Sequence, residues 1–251
     1  MLEVKNLSVK YGSLTIVRDL SFSLEEKQWL MIVGPNGAGK STLVNAVAQG
    51  IPYEGSVLYE GKDVARLKPS QRAKNIGVLA QNHHIEYSFT VEELVRLGRY
   101  AHSPGIFSSR NDEDEQKINF ALELTGLLPI RNQSMLTLSG GELQRAFLAQ
   151  LFAQDPKILI LDEPTNSLDL LYQKQVFELI GGWVRTPGHA VISVVHDLSL
   201  AKLYGTHALL LSKATPAIRG TIEQVLTGEI LREAYGMDVN GWMRNMLGRW
   251  Q

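Results

Sequence analysis

Residues 29–47 read WLMIVGPNGAGKSTLVNAV. Trp29 to Val33 are five apolar residues in a row, too few for a helix, and Gly34-Pro35 follows at once, so they read as a buried strand. Gly34-Pro35-Asn36-Gly37-Ala38-Gly39-Lys40-Ser41 fits the phosphate-loop pattern G-x-x-x-x-G-K-[ST] in full. Leu43, Val44 and Val47 then fall at helical spacing. The glycines permit backbone conformations that turn successive N–H groups inward as a nest for phosphate oxygens. A helix starting near Lys40 adds its positive dipole end and its unpaired N–H groups. In this context Lys40 reaches the β- and γ-phosphates of a nucleotide, and the Ser41 hydroxyl ligates Mg²⁺.

Composition sets the outer bounds. The chain has 251 residues, 44% hydrophobic and 20% charged, enough for a sizeable core. The formal net charge of −1 gives no overall basic field, and no nucleic-acid partner is expected. There are no cysteines, which excludes disulfides, thiolate metal sites and a cysteine nucleophile. The opening MLEVKNLSVKYG carries charges where a signal peptide is apolar, and no apolar run approaches the roughly 18 residues of a membrane span. A soluble chain is expected, with any membrane role coming through a partner.

Along the chain, Leu2 and Val4, Leu7 and Val9, and Leu20, Phe22 and Leu24 alternate as half-buried antiparallel strands, with Tyr11-Gly12-Ser13 as a turn. The runs 29–33, 76–80, 158–162 and 190–195 are near-continuously apolar, as in a parallel sheet covered on both faces, and His207 to Leu211 adds a further strand. The first four end in polar residues of catalytic type, where open α/β sheets bind ligand: the phosphate loop, Gln81, Asp162-Glu163 and His196. Two adjacent carboxylates at a strand's end are costly unless they meet a cation or do chemistry. Asp162 is the acidic partner expected for Mg²⁺, and Glu163 is placed to orient or deprotonate a water. His83 and His84 read as surface histidines, since neighbours in sequence rarely converge on one ion.

From 88 to about 154 the pattern is helical. Thr90 to Glu93 is a capping box, the acidic run Asp112 to Glu115 complements a helix dipole, and Gly126 ends that helix. Ser139 and Glu142 form a second capping box, ahead of a stripe of Leu143, Ala146, Phe147, Gln150 and Leu151. Gly140 and Gly141 in that first turn cost about 1 kcal/mol each relative to Ala, so something other than helix stability favours them. Close approach of an anion is the physical candidate. Asp169 and Asp197 read as caps of later helices.

The ordered set resembles the nucleotide-binding subunit of ATP-binding-cassette transporters over essentially the whole chain. Tyr11 matches the aromatic that stacks on adenine, and Gly34 to Thr42 the Walker A loop. Gln81 matches the Q-loop, Leu138-Ser139-Gly140-Gly141-Glu142 the signature, and Ile158 to Glu163 the Walker B strand with its catalytic Glu. Ser167-Leu168-Asp169 matches the D-loop, and His196 the switch histidine. Glu142 departs from the usual Gln. The run Val91…Val95…Gly98-Arg99…His102, and the tail from Val225 to Gly236, are similar to ATPases serving ferric-siderophore, haem and cobalamin uptake.

The resemblance implies an α/β phosphate-loop NTPase core, a parallel sheet with helices on both faces, plus an N-terminal antiparallel β-subdomain and an inserted all-helical subdomain. One ABC ATPase domain over 1–251 is expected: 1–87 and 155–220 as core with the β-subdomain, 88–154 as the helical signature subdomain, and 221–251 as a helical tail. It also implies ATP hydrolysis with Mg²⁺ held by Ser41, Gln81 and Asp162, catalysis by Glu163, His196 and Gln81, and nucleotide contacts from Tyr11, residues 34–42, Ser139 to Glu142, and Asp169. The implied partners are a second copy arranged head to tail, membrane permease subunits and, indirectly, a periplasmic or lipoprotein substrate-binding protein, with the chain on the cytoplasmic face of the membrane. An exporter ATPase more often lacks the Gly98-Arg99…His102 run, and soluble translation types usually carry two cassettes in one chain.

Overall fold

The computed structural model of the chain describes residues 1–80, 88–102, 112–165 and 168–249. Backbone contacts divide it into two compact units, Met1–Asp63 with Ile192–Gln251, and Val64–Val191.

The first unit opens with an antiparallel hairpin of β1 (Leu2–Tyr11) and β2 (Leu14–Leu24), in which Tyr11 pairs with Leu14 across Gly12-Ser13. The apolar alternation changes phase between Val4 and Leu7 because the strand bulges there. Asn6 takes a positive φ of 50°, and its N–H donates to Ser21 Oγ at 2.8 Å. A bulge leaves ladder groups unpaired, and nearby hydroxyls satisfy them here. Next come β3 (Trp29–Val33), α1 (Lys40–Val47), β4 (Glu54–Tyr59) and β5 (Lys62–Asp63). The antiparallel sheet runs β2-β1-β4-β5.

The second unit holds α2 (Pro69–Asn75), β6 (Ile76–Leu79), α3 (Val91–Leu97), α4 (Asp112–Leu124), α5 (Gly140–Gln154), β7 (Ile158–Asp162) and α6 (Leu170–Val184). β8 (Ala190–Val194) begins in this unit and ends in the first. β6 and β7 pair in parallel, Ile76 with Ile158 through Leu79 with Leu161. Every residue of β7 is buried, whereas Val78 on β6 is 39% exposed, because β6 is the last strand in its order.

The first unit resumes with α7 (Leu198–Tyr204), β9 (His207–Leu210), β10 (Ile218–Thr221), α8 (Ile222–Val225), α9 (Gly228–Tyr235) and α10 (Val239–Leu247). Here β9 runs parallel to β3, and β10 closes the edge antiparallel to β9. Trp29 is fully buried, and its indole N–H donates to the buried Ser193 hydroxyl on β8 at 2.9 Å, so the one polar atom of this large side chain is satisfied. The fold class expected from the sequence is therefore present: parallel strands around β3 and β7, an N-terminal antiparallel sheet and a helical segment between β6 and β7.

Within that helical segment, the run Gly98-Arg99…His102 acquires a structural reason. The 3₁₀ turn Gly98–Ala101 lies against the end of α5 so closely that a Cβ on Gly98 would stand 2.2 Å from the Gln150 carbonyl oxygen. The last carbonyls of a helix have no partner within it. Here Arg99 Nη1 donates to Ala153 O at 2.9 Å, and His102 Nε2 lies 2.9 Å from Gln154 O. Arg99 Nε also meets Asp114 Oδ1 at 2.6 Å, with the arginine side chain 5% exposed. Arg96 pairs with Glu115, and Arg131 Nε with Glu92 at 2.6 Å. The acidic run at 112–115, expected only to complement a helix dipole, thus also supplies anions for Arg96 and Arg99.

Removing one partner of a buried pair costs about 3–5 kcal/mol. Arg99→Ala is accordingly expected to lower Tm by roughly 6–20 °C in a chain of this size, read by thermal unfolding. Arg99→Lys will not restore it, because a point ammonium lacks the planar fork that serves a carboxylate and a carbonyl together. A Tm within about 2 °C of wild type, against a slope of ~2–4 °C per kcal/mol, contradicts this role.

Candidate nucleotide site

The phosphate loop lies in the first unit. Gly34 takes φ 142°, and a Cβ there would stand 2.0 Å from the Leu211 carbonyl oxygen, so this position admits only glycine. Ala38 N–H donates to Pro35 O at 3.3 Å, closing a turn that delivers the chain to Gly39, the N-cap of α1. No side chain caps α1, and no acidic residue occupies its first turn. The start of the helix therefore keeps its positive end for an anion. Lys40 is buried at 6% exposure, and its Nζ donates to Gly34 O at 2.7 Å and Pro35 O at 3.0 Å. The lysine thus spans the loop that it is expected to serve. Tyr11 is 56% exposed at the end of β1. His196 is exposed just after β8, and Asp197 caps α7 as expected, accepting from Ser199 N–H at 2.7 Å.

The second unit carries the other residues. Asp162 closes β7 at 3% exposure. Glu163 follows with φ 54°, a left-handed backbone that is uncommon for a side chain of this kind. Such conformations cost of order 1–3 kcal/mol and concentrate at functional sites.

Ser139 is the N-cap of α5. Its N–H and its hydroxyl donate to Glu142 Oε2 at 2.8 and 2.7 Å, while Glu142 N–H returns to the Ser139 hydroxyl at 3.4 Å. The Ser139 hydroxyl first, and then its N–H, hold the Glu142 carboxyl below the usual carboxylate range.

The first turns of α5 and the segment after β7 form one framework. Gln144 Nε2 donates to Pro164 O at 2.8 Å, one residue past Glu163. Arg145 lies 4.7 Å over the Tyr172 ring, and a Cβ on Gly141 would stand 3.5 Å from that same ring. Asp169 caps α6 by accepting from Tyr172 N–H at 3.0 Å. The expected α5 stripe is only partly observed. Ala146 and Leu151 are buried, but Leu148, Ala149, Phe152 and Ala153 share the burial while Leu143, Phe147 and Gln150 do not reach it. The helix is covered on more than one side, so a single-face pattern does not describe it.

Gln81, His83 and His84, the segment 103–111, and Asn166 and Ser167 lie outside the described residues. Two residues near the loop were given no part in the site by the sequence, although Tyr235 belongs to the Val225–Gly236 run. The Tyr235 phenol on α9 hydrogen-bonds with the Gly34 backbone, and burial pushes its pKa up. Lys213 Nζ stands 3.5 Å from where a Gly37 Cβ would be. A separate cleft of about 750 Å³ in the second unit, lined among others by Phe120, Leu179, Trp183 and His189, contains none of the residues expected to bind nucleotide.

A strand, a glycine loop with a spanning lysine and an uncapped helix start define a phosphate-loop nucleotide-binding protein. The profile of the ABC transporter family matches residues 17–166, more than half of the chain. An uncharacterized ABC transporter ATP-binding protein, YvrA of Bacillus subtilis (strain 168), is 38% identical over 95% of this chain, which spans about half (54%) of that relative's length. The hemin import ATP-binding protein HmuV of Pseudomonas aeruginosa is 38% identical over 95% of this chain and 94% of its own. Among solved structures, an inward-facing putative metal-chelate type ABC transporter matches with a TM-score of 0.80 and 26% identity, over 94% of this chain and 89% of the other. The chain belongs to the ABC transporter family, as one of its ATP-binding, ATP-hydrolysing cassettes.

Proposed function

We propose that this chain is the ATP-hydrolysing subunit of an importer that takes up a metal chelate of the ferric-siderophore, haem or cobalamin type through a membrane permease. The observation that carries this reading is the end-to-end likeness to ATP-binding subunits such as HmuV, joined to the Gly98-Arg99…His102 run that ties α3 to the end of α5. No helix among the described residues is long and apolar enough to cross a membrane, consistent with a peripheral subunit on the cytoplasmic face working through separate permease subunits. A substrate-binding protein outside that face selects the chelate.

The working unit is a head-to-tail dimer in which ATP lies between residues 34–42 of one copy and Ser139 to Glu142 of the other. Tyr11 stacks on the adenine, and Pro35, Asn36, Gly37, Ala38, Gly39 and Thr42 surround the phosphates. Lys40 neutralises charge on the β/γ bridge. Ser41 and Asp162, with Gln81, are the hard oxygen donors suited to Mg²⁺, which prefers one or two carboxylates together with substrate phosphates. The ion supplies charge neutralisation on those phosphates. Glu163 polarises the attacking water, His196 touches the γ-phosphate, and Gly140, Gly141 and Asp169 complete the shared interface. Residues 88–154 act as the signature subdomain between the core segments 1–87 and 155–220, and 221–251 form the tail.

The test is a mild-detergent pull-down of the tagged chain from its native membranes, with the co-purifying proteins identified. A multi-span permease of the metal-chelate importer type supports the reading. An exporter-type permease, or no membrane protein with ATPase activity intact, overturns it.

A further inference from the structure

Ser139 has one hydroxyl proton, and the structure shows where it goes. It points at Glu142 Oε2 at 2.7 Å, and the same oxygen takes the Ser139 N–H at 2.8 Å. A single carboxylate oxygen thus gathers the donors that an incoming phosphate would use at the start of α5. We infer that Glu142 is an internal competitor for the Ser139 hydroxyl, and that its displacement sets the ATP concentration at which two copies close on the nucleotide. The inference rests on the proposed head-to-tail dimer and gives the departure from Gln at this position a consequence.

The physical argument has two parts. A hydrogen bond from a hydroxyl to an ionised carboxylate is roughly twice as strong as one to a neutral amide oxygen, so Glu142 holds the Ser139 proton more firmly than Gln would. The carboxylate also places a full negative charge beside the γ-phosphate's expected position and offsets the positive end of α5. Glu142 stabilises the resting helix for the same reason that it opposes the phosphate. Glutamine keeps the capping box, since either residue serves at that position. Glu142→Gln therefore changes the charge and the competition while leaving the local fold in place. Arg145, which stands over Tyr172, and Gln144, which holds Pro164 O, keep the rest of the turn anchored when the carboxylate swings away.

The experiment uses the full chain in the Glu163→Gln background, so that ATP is bound but slowly consumed. ATP-dependent dimer formation is followed by sedimentation at fixed Mg²⁺, with and without Glu142→Gln. Binding of ADP to the monomer is measured alongside, because it reads the phosphate loop and not the signature. The ATP concentration for half-maximal dimer is expected to fall about two- to fivefold, the range for removing one charge at a helix N-terminus, with ADP affinity unchanged. An unchanged or higher ATP requirement overturns the inference while leaving the dimer standing. If the Glu163→Gln parent forms no ATP-dependent dimer, the dimer reading fails and the inference falls with it.

Discussion

Glu163→Gln is expected to bind ATP, to accumulate as an ATP-bound dimer, and to release phosphate with a kcat lowered by about 10²–10⁴-fold, the usual contribution of a positioned general base. The residue's backbone is the reason to expect so large an effect. β7 runs through five buried residues and ends on the buried Asp162, and Glu163 then turns into a left-handed conformation at φ 54°. That backbone breaks from the strand that Asp162 closes, and the proposal gives the two carboxylates distinct tasks. The turn is secured from the other side by Gln144, which donates to Pro164 O. Glutamine has the same shape and keeps the backbone requirement, so the substitution removes the base without moving the turn. Steady-state phosphate release checks it. Turnover within about threefold of wild type, far short of the general-base range, would remove Glu163 from the catalytic role.

Lys40→Ala is the second large effect, and it falls on binding. Hydrogen bonds to charged groups contribute about 1.5–3 kcal/mol each, so losing an ammonium that bridges two phosphates weakens ATP binding by roughly 100-fold or more. The substitution also releases the carbonyls of Gly34 and Pro35, which Lys40 holds at 2.7 and 3.0 Å. Lys40→Met serves as the control for lost packing, since it keeps an apolar stem in the buried position while removing the ammonium and the bonds it donates. Both variants are expected to lose ATP affinity in an equilibrium binding titration, while thermal unfolding shows the fold retained. Nucleotide affinity equal to wild type in Lys40→Met contradicts the phosphate-loop reading.

Much of the fold was legible from local chemistry. The strand–loop–helix from Trp29 to Val47, and the capping boxes at Thr90–Glu93 and Ser139–Glu142, depend on residues a few positions apart, and the structure shows both boxes with their reciprocal bonds. The buried strands at 29–33 and 158–162 match their apolar runs residue for residue. What escaped is what depends on distant parts of the chain. Arg99 and Ala153 lie 54 positions apart, so the reason for the Gly98-Arg99…His102 run appears only when α5 is in place. The role of Asp114 as the partner of the buried Arg99 was hidden behind a simpler account of a helix start.

α2 buries none of its residues, so its seven positions offered no apolar period to read. The left-handed turn at Glu163 is a property of backbone dihedrals that residue type at a strand's end does not signal. Tyr235 lies in the Val225–Gly236 run, whose likeness to uptake ATPases did not place it against Gly34. Of the expected site residues, those of the loop and those of the signature segment lie within the described residues. Gln81 lies outside the described residues, and its part in the proposal comes from its place at the end of the run 76–80.

The central claim is that each ATP is held between the phosphate loop of one copy and the signature segment of another. Because the chain has no cysteine, single cysteines can be added cleanly. Ala38→Cys and Leu138→Cys, carried on separate copies, replace non-glycine residues within the loop and beside Ser139, neither at a positive φ. The account predicts a disulfide-linked dimer on oxidation of the mixture with ATP and Mg²⁺, and none when either variant is oxidised alone. No ATP-dependent cross-link in the mixture, with nucleotide binding intact in both variants, would contradict it.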